Sequence, residues 1–122
     1  YRVCIVEGGT NDLTASVPTG DIIAAWEDGI DRCLAAGFVT VGVGIFPRGN
    51  SSGFTQEAAR LTVNAAIAAY AASNGVLYLA PDTTYGTGTG PVDLKAEFDA
   101  GDGLHLDCDG QAQLASDIGA LF

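Results

Sequence analysis

Three apolar runs of strand length alternate along the chain with amphipathic, helix-like stretches, and this order restricts the possible folds more than any other feature. The runs are continuously apolar, as expected of parallel strands that are buried on both faces. The predicted strands are Arg2–Glu7, Phe38–Phe46 and Val76–Ala80, and the predicted helices are Pro18–Gly37, Thr55 or Gln56 to Ser73, and a C-terminal helix that Asp109 can cap. The pattern predicts an α/β fold in which helices cover both faces of a parallel sheet.

The segments between these elements are rich in glycine and polar residues, and we predict them to be loops. They are Gly8–Asp12, Pro47–Gly53 and the long stretch Asp82–Gly101. Ligands of parallel sheets bind beyond the carboxyl ends of the strands. Polar residues in or just after these loops are therefore candidates for a functional site.

The composition is both apolar and acidic for a chain of this size. Of the 122 residues, 48% are hydrophobic, and the formal net charge is −10. A small domain exposes too much surface for so apolar a composition, which predicts that the chain is part of a larger domain or packs against a partner. The negative charge would repel phosphate backbones, so we expect no nucleic-acid partner. No apolar run in the sequence is long enough to span a bilayer.

The three cysteines, Cys4, Cys33 and Cys108, lack the Cys-x-x-Cys spacing that is typical of zinc sites. Two states stay open: one disulfide with a free thiol, or three free thiols. The cellular compartment stays open for the same reason. We expect neither a metal site nor a cofactor.

The most informative polar motif is an Asp-x-x-His sequence at Asp102–His105, which contains the only histidine of the chain. Histidine is the usual general base near neutral pH, and a carboxylate fixes its tautomer and stabilises the charge that it acquires. Asp102 can reach the ring of His105 from the same turn. A second polar motif, Gly8–Asp12, directly follows the first predicted strand.

With both motifs present, the chain resembles the SGNH hydrolase superfamily, also called GDSL esterases and lipases. The third sequence block of that family is Gly-x-Asn-Asp, matched by Gly9–Asp12, and its fifth is Asp-x-x-His, matched by Asp102–His105. The resemblance covers essentially the whole chain, read as the C-terminal two-thirds of the fold. It implies a flavodoxin-like, three-layer α/β domain whose N-terminal strands are missing, so that residues 1–122 form a single incomplete domain.

The resemblance also implies roles for individual residues. His105 would be the general base and then the acid toward the leaving alcohol, with Asp102 orienting its ring. The side chain of Asn11 would donate a hydrogen bond to the oxyanion of a tetrahedral intermediate. Gly9 and Thr10 would lie on the substrate side of the same loop.

The family's nucleophile is the part of the pattern that this sequence lacks. The serine belongs to a Gly-Asp-Ser block, which does not occur here. Ser51 lies in a Gly-x-Ser-x-Gly motif, but the strand–turn–helix context of a nucleophile elbow is missing around it. We therefore expect the nucleophile on a missing or separate segment, and we expect this chain alone to be inactive and poorly stable.

The leading hypothesis is a serine carboxylic-ester hydrolase that acts through an acyl-enzyme on small acyl esters, such as O-acetyl groups on carbohydrate. Its partners would be the ester substrate, for example an acylated glycan, and a complementary polypeptide that carries the nucleophile. The alternative is an inactive SGNH-like module that binds glycans or has a structural role in a larger assembly. An extracellular, virion or surface-associated location is slightly favoured. A nucleotide-binding domain is a weaker third interpretation, because Gly8–Asp12 lacks the phosphate-loop patterns.

Overall fold

The computed structural model describes residues 2–48, 54–88 and 92–122. Within these ranges the elements are β1 (Val3–Glu7), α1 (Thr10–Thr14), α2 (Thr19–Ala35), β2 (Val39–Val43), α3 (Glu57–Asn74), β3 (Leu77–Leu79), α4 (Pro81–Tyr85) and α5 (Cys108–Gly119). The three strands form one parallel sheet in the order β1-β2-β3. The predicted α/β fold with a parallel sheet is confirmed.

The chain divides into two compact units. The first comprises Tyr1–Ile45 and Ala58–Ala80, with the sheet, α1, α2 and most of α3, and the second comprises Phe46–Glu57 and Pro81–Phe122, with α4 and α5. The buried apolar side chains of the first unit come from all three of its helices and from β2 and its flanks. They include Leu13, Ile22, Trp26, Ile30, Val41, Val43, Ile45, Val63, Ile67 and Ala71.

The edge strand β1 is more exposed than predicted. Val3 and Ile5 are 38% and 51% exposed, whereas Val41, the partner of Ile5 on β2, is completely buried. An edge strand has a neighbour on one side only, so its side chains lose part of their cover. The prediction of strands buried on both faces is therefore wrong for β1 and holds for most of β2.

A disulfide joins Cys4 of β1 to Cys33 of α2, with the two Cα atoms 6.1 Å apart. Cys108 is left as an exposed free thiol. Of the two states that the sequence leaves open, the structure has one disulfide and one free thiol. The bond fixes helix α2 to the exposed edge strand.

Short helices replace parts of two predicted loops. The first turn of α1 begins at Thr10, and α4 occupies the start of the stretch after β3. The N-cap of α5 is Asp107 rather than the predicted Asp109, because the Asp107 carboxylate accepts the N–H of Gly110 at 2.8 Å. The motif around Ser51 lies outside the described residues.

Two features are absent from residues 2–48, 54–88 and 92–122. No helix there is long and apolar enough to cross a membrane. No group of three or more His, Cys, Asp or Glu side chains in those same ranges is placed to hold a metal ion.

Candidate active site

The imidazole of His105 and the carboxylate of Asp102 form a close pair in the tight loop that precedes α5. The ring nitrogen Nδ1 lies 2.6 Å from Oδ2 of Asp102. The other carboxylate oxygen, Oδ1, accepts the backbone N–H groups of Leu104 and His105 at 2.9 and 2.8 Å. The backbone thus holds the carboxylate, and the carboxylate holds the ring, so that Nε2 is the nitrogen left to exchange a proton.

The same hydrogen bonds keep Asp102 ionised. The bond to the His105 ring, followed by the backbone N–H groups of His105 and Leu104, lowers the pKa of Asp102 from 3.8 to about 2. The two side chains are also open to solvent, with 71% of His105 and 50% of Asp102 exposed. The pair therefore offers an accessible imidazole beside a carboxylate that is charged at neutral pH.

A second carboxylate, Asp99, shapes the backbone of this loop. Its Oδ1 accepts three consecutive backbone N–H groups, from Gly101, Asp102 and Gly103, at 2.9, 3.1 and 2.9 Å. Gly101 and Gly103 have φ values of 99° and 68°, a conformation that glycine adopts without strain. Sequence reasoning missed Asp99, although an aspartate followed by two closely spaced glycines is the signal that could have revealed such a turn.

Backbone hydrogen bonds close the base of the loop. The N–H of Ala100 donates to the carbonyl of His105 at 2.9 Å, and the N–H of Asp107 donates to the carbonyl of Phe98 at 2.8 Å. Asp107 in turn caps α5. The histidine is therefore fixed to the start of a helix instead of lying on a free loop.

Tyr85 anchors the same unit from within. Its side chain is fully buried, and its ring contacts Phe46 and Phe98 with centroid distances of 5.0 and 5.3 Å. Its hydroxyl donates to Oδ2 of Asp117 on α5 at 2.8 Å. Burial first, and then this hydrogen bond and the Asp117 charge, raise the pKa of Tyr85 above its ordinary value, so the hydroxyl remains a donor.

The other candidate residues lie in the first unit, on and beside α1. Asn11 is the second residue of α1, and its side chain is exposed. The N-cap of this helix is Gly9, which has a φ of 103°. A β-carbon at this position would lie only 2.8 Å from Cδ1 of Ile45. Thr10 begins the helix, and its carbonyl accepts the Thr14 hydroxyl at 3.0 Å.

A cleft of about 380 Å³ lies in the first unit beside this motif. Its lining combines an apolar floor with three carboxylates and comprises Val6, Glu7, Gly8, Gly9, Asp12, Val17, Asp21, Ile22, Ala25 and Trp26. Among these described residues there is no lysine or arginine to balance the negative charge. The cleft therefore favours neutral or cationic groups over anionic ones.

The Asp102–His105 pair thus directly precedes α5, in a chain whose three strands form a parallel sheet. The family model of the GDSL-like lipases and acylhydrolases matches residues 1–113 of this chain. The chain belongs to that family, and the resemblance stated from the two sequence motifs is confirmed.

Two solved structures show the same fold. One is a GDSL-like lipase from Bacteroides thetaiotaomicron, with a TM-score of 0.81 and 17% identity over 96% of this chain. The other is a protein from Bacteroides fragilis assigned as an acylhydrolase, with a TM-score of 0.82 and 14% identity over 98% of this chain. The present chain spans 60% of the length of each. A comparison with curated protein sequences finds no significant match.

Proposed function

We propose that the protein carrying this chain is a serine ester hydrolase with His105 as general base, Asp102 as its orienting acid and Asn11 as an oxyanion donor. The Asp102–His105 pair is the observation that carries the proposal. One carboxylate oxygen contacts the ring, while the other is held by two backbone amides. Membership of an acylhydrolase family supports ester hydrolysis as the reaction.

In the proposed cycle, a serine on a separate or missing segment of the same domain supplies the nucleophile. Its hydroxyl gives a proton to Nε2 of His105 while its oxygen attacks the ester carbonyl carbon. The Asn11 amide donates a hydrogen bond to the oxygen that becomes negative. His105 then protonates the leaving alcohol as the carbon–oxygen bond breaks, and an acyl-enzyme remains.

Water completes the cycle by the same route. His105 takes a proton from water, the resulting hydroxide oxygen attacks the acyl carbon, and the proton returns to the serine oxygen as the acid leaves. Asp102 stabilises the imidazolium in both halves because its own lowered pKa, about 2, keeps it from taking the proton.

For the substrate we propose small acyl esters of neutral alcohols, of which O-acetyl groups on carbohydrate are one class. The cleft beside Gly9 supports a neutral alcohol, since its three carboxylates disfavour an anionic one. The net charge of −10 on the chain also disfavours an anionic substrate.

The test is hydrolysis of p-nitrophenyl acetate by the complete protein, with labelling by a fluorophosphonate probe. We expect His105→Ala and Asp102→Asn to lower kcat by about 10³-fold or more. Asp109→Asn is the matched control, because Asp109 is an exposed carboxylate close to His105 in sequence and has no proposed role. Unchanged turnover in His105→Ala would refute the proposal. Without a labelled serine, the alternative of an inactive glycan-binding or structural module would replace it.

A further inference from the structure

The backbone of Ile45 leaves the sheet just beyond β2 and needs other partners. The hydrogen bonds from β2 to β3 continue to Gly44, whose N–H donates to the carbonyl of Leu79 at 3.0 Å. Ile45 follows and is 1% exposed, so water cannot satisfy its N–H and carbonyl. An unpaired buried amide would cost as much stability as a lost hydrogen bond.

The side chain of Asn64 on α3 supplies both partners. Its Oδ1 accepts the N–H of Ile45 at 2.8 Å, and its Nδ2 donates to the carbonyl of Ile45 at 2.9 Å. Arg60, one turn earlier on α3, donates from Nη1 to the same carbonyl at 2.9 Å. A carboxamide can accept and donate at the same time, so this pairing fixes the position of the Ile45 backbone relative to α3.

The side chain of Ile45 in turn packs closely against Gly9. The site that a β-carbon on Gly9 would occupy lies 2.8 Å from Cδ1 and 3.4 Å from Cγ1 of Ile45. Gly9 is the N-cap of α1, and Asn11 stands two residues further on. Because the Ile45 side chain packs closely against Gly9, a shift of Ile45 changes the packing under the start of the helix that carries the proposed oxyanion donor.

We infer that Asn64 is a positioning residue for Asn11, acting through Ile45 and Gly9. This inference rests on the proposed function for its effect on the reaction, while its structural part stands on the contacts alone. An oxyanion donor acts in the transition state, so displacement of Asn11 lowers kcat more than it raises KM. A residue with only a structural role would reduce the amount of folded enzyme without changing turnover at each intact site.

The experiment is a double-mutant cycle in the complete protein, with active sites counted by fluorophosphonate titration. We expect Asn64→Leu to lower kcat per site by about tenfold to a hundredfold with KM nearly unchanged. Asn11→Ala should cost about a hundredfold to a thousandfold, and adding Asn64→Leu to it should cost little more. Tyr70→Phe, which removes a surface hydrogen bond between Tyr70 of the same helix and Asp31, is the control and should leave kcat unchanged.

Two further measurements separate this inference from the proposed function. Ile45→Val removes the Cδ1 atom nearest Gly9 without touching the hydrogen bonds, and it should give a smaller loss of kcat even if Asn64→Leu does not fold. In NMR spectra, the Gly9 backbone amide and the Asn11 side-chain amide should shift in Ile45→Val and Asn64→Leu. Unshifted signals, or independent losses of kcat in the cycle, overturn the inference. If Asn11→Ala retains full turnover while these signals shift, the oxyanion role fails and the positioning stands.

Discussion

At the scale of single residues, Gly9 is a position in the first unit that tolerates a side chain poorly. Its φ of 103° disfavours any residue with a β-carbon, and such an atom would lie 2.8 Å from Cδ1 of Ile45, so this buried side chain would have to move. We expect Gly9→Ala to lower the free energy of unfolding by roughly 2–4 kcal/mol, from left-handed strain and overpacking together. Gly20→Ala, in α2 with open space around the added methyl, should instead stabilise by about 0.5 kcal/mol. Urea denaturation of both variants measures the difference, and equal midpoints would contradict it.

Asp102 gives a prediction about pH. Its pKa is about 2 in the folded loop against 3.8 ordinarily. Because the folded value is the lower one, the interaction stabilises the loop fully above about pH 4, and this stabilisation is lost as the pH falls to 2. The carboxyl carbon of Asp102 should titrate near pH 2 in ¹³C NMR, while exchange of the Leu104 and His105 amides accelerates over the same interval. A midpoint near 3.8 would show that the pair does not form in solution.

At the scale of elements, the two aspartates at the start of α5 should contribute differently to stability, because only Asp107 is the N-cap. Asp107→Ala removes the acceptor of the Gly110 N–H and should cost about 1 kcal/mol. Asp109→Ala removes only a favourable charge in the first turn, worth a few tenths of a kcal/mol. Thermal denaturation of the two variants distinguishes them. A larger loss of stability for Asp109→Ala would show that Asp109 caps the helix, as the sequence predicts.

Local patterns in the sequence predict the elements well where the side chains decide the structure. Continuous apolar runs locate all three strands, and helical spacing locates α2 and α3. The predicted strand Phe38–Phe46 is too long because the apolar run continues, whereas Ile45 pairs with Asn64 rather than with the sheet. The helix α1 is missed because glycine, asparagine and aspartate favour turns as strongly as helix starts.

The candidate site is predictable to a similar degree. The Asp102–His105 pair lies within one motif, so short spacing is enough to find it. The support for the site comes from further away or from backbone shape. Asp99 acts by folding the chain around its carboxylate, and Asn64 reaches Ile45 across 19 residues. Neither set of hydrogen bonds produces a periodic pattern that could be recognised in a single sequence.

At the scale of the whole molecule, one covalent bond secures the exposed edge of the sheet. The Cys4–Cys33 disulfide closes a loop of 29 residues. A disulfide that closes a loop of this length stabilises the folded state by about 3–4 kcal/mol, because it lowers the conformational entropy of the unfolded chain. We expect Cys4→Ala/Cys33→Ala to lose roughly that much in urea denaturation, with Cys108→Ser as the control that loses little. An unchanged midpoint in the double variant would show that packing of α2 alone secures the edge.

The exposed edge also bears on the prediction of an incomplete domain. Val3 and Ile5 are apolar and exposed on β1, which pairs only with β2 among the residues that the structure describes. The chain spans 60% of its two structural relatives. The single incomplete domain and the complementary polypeptide stay predictions, and a longer protein that covers β1 would be their direct test.

Cys108 provides a practical means of observing this site. It is the free thiol of the chain, it is exposed, and it follows His105 by three residues at the start of α5. A maleimide fluorophore or a nitroxide can therefore be attached beside the histidine in the natural sequence, with no cysteine to add or remove. Changes in emission or spin mobility there would report the binding of a substrate or the docking of another polypeptide in real time.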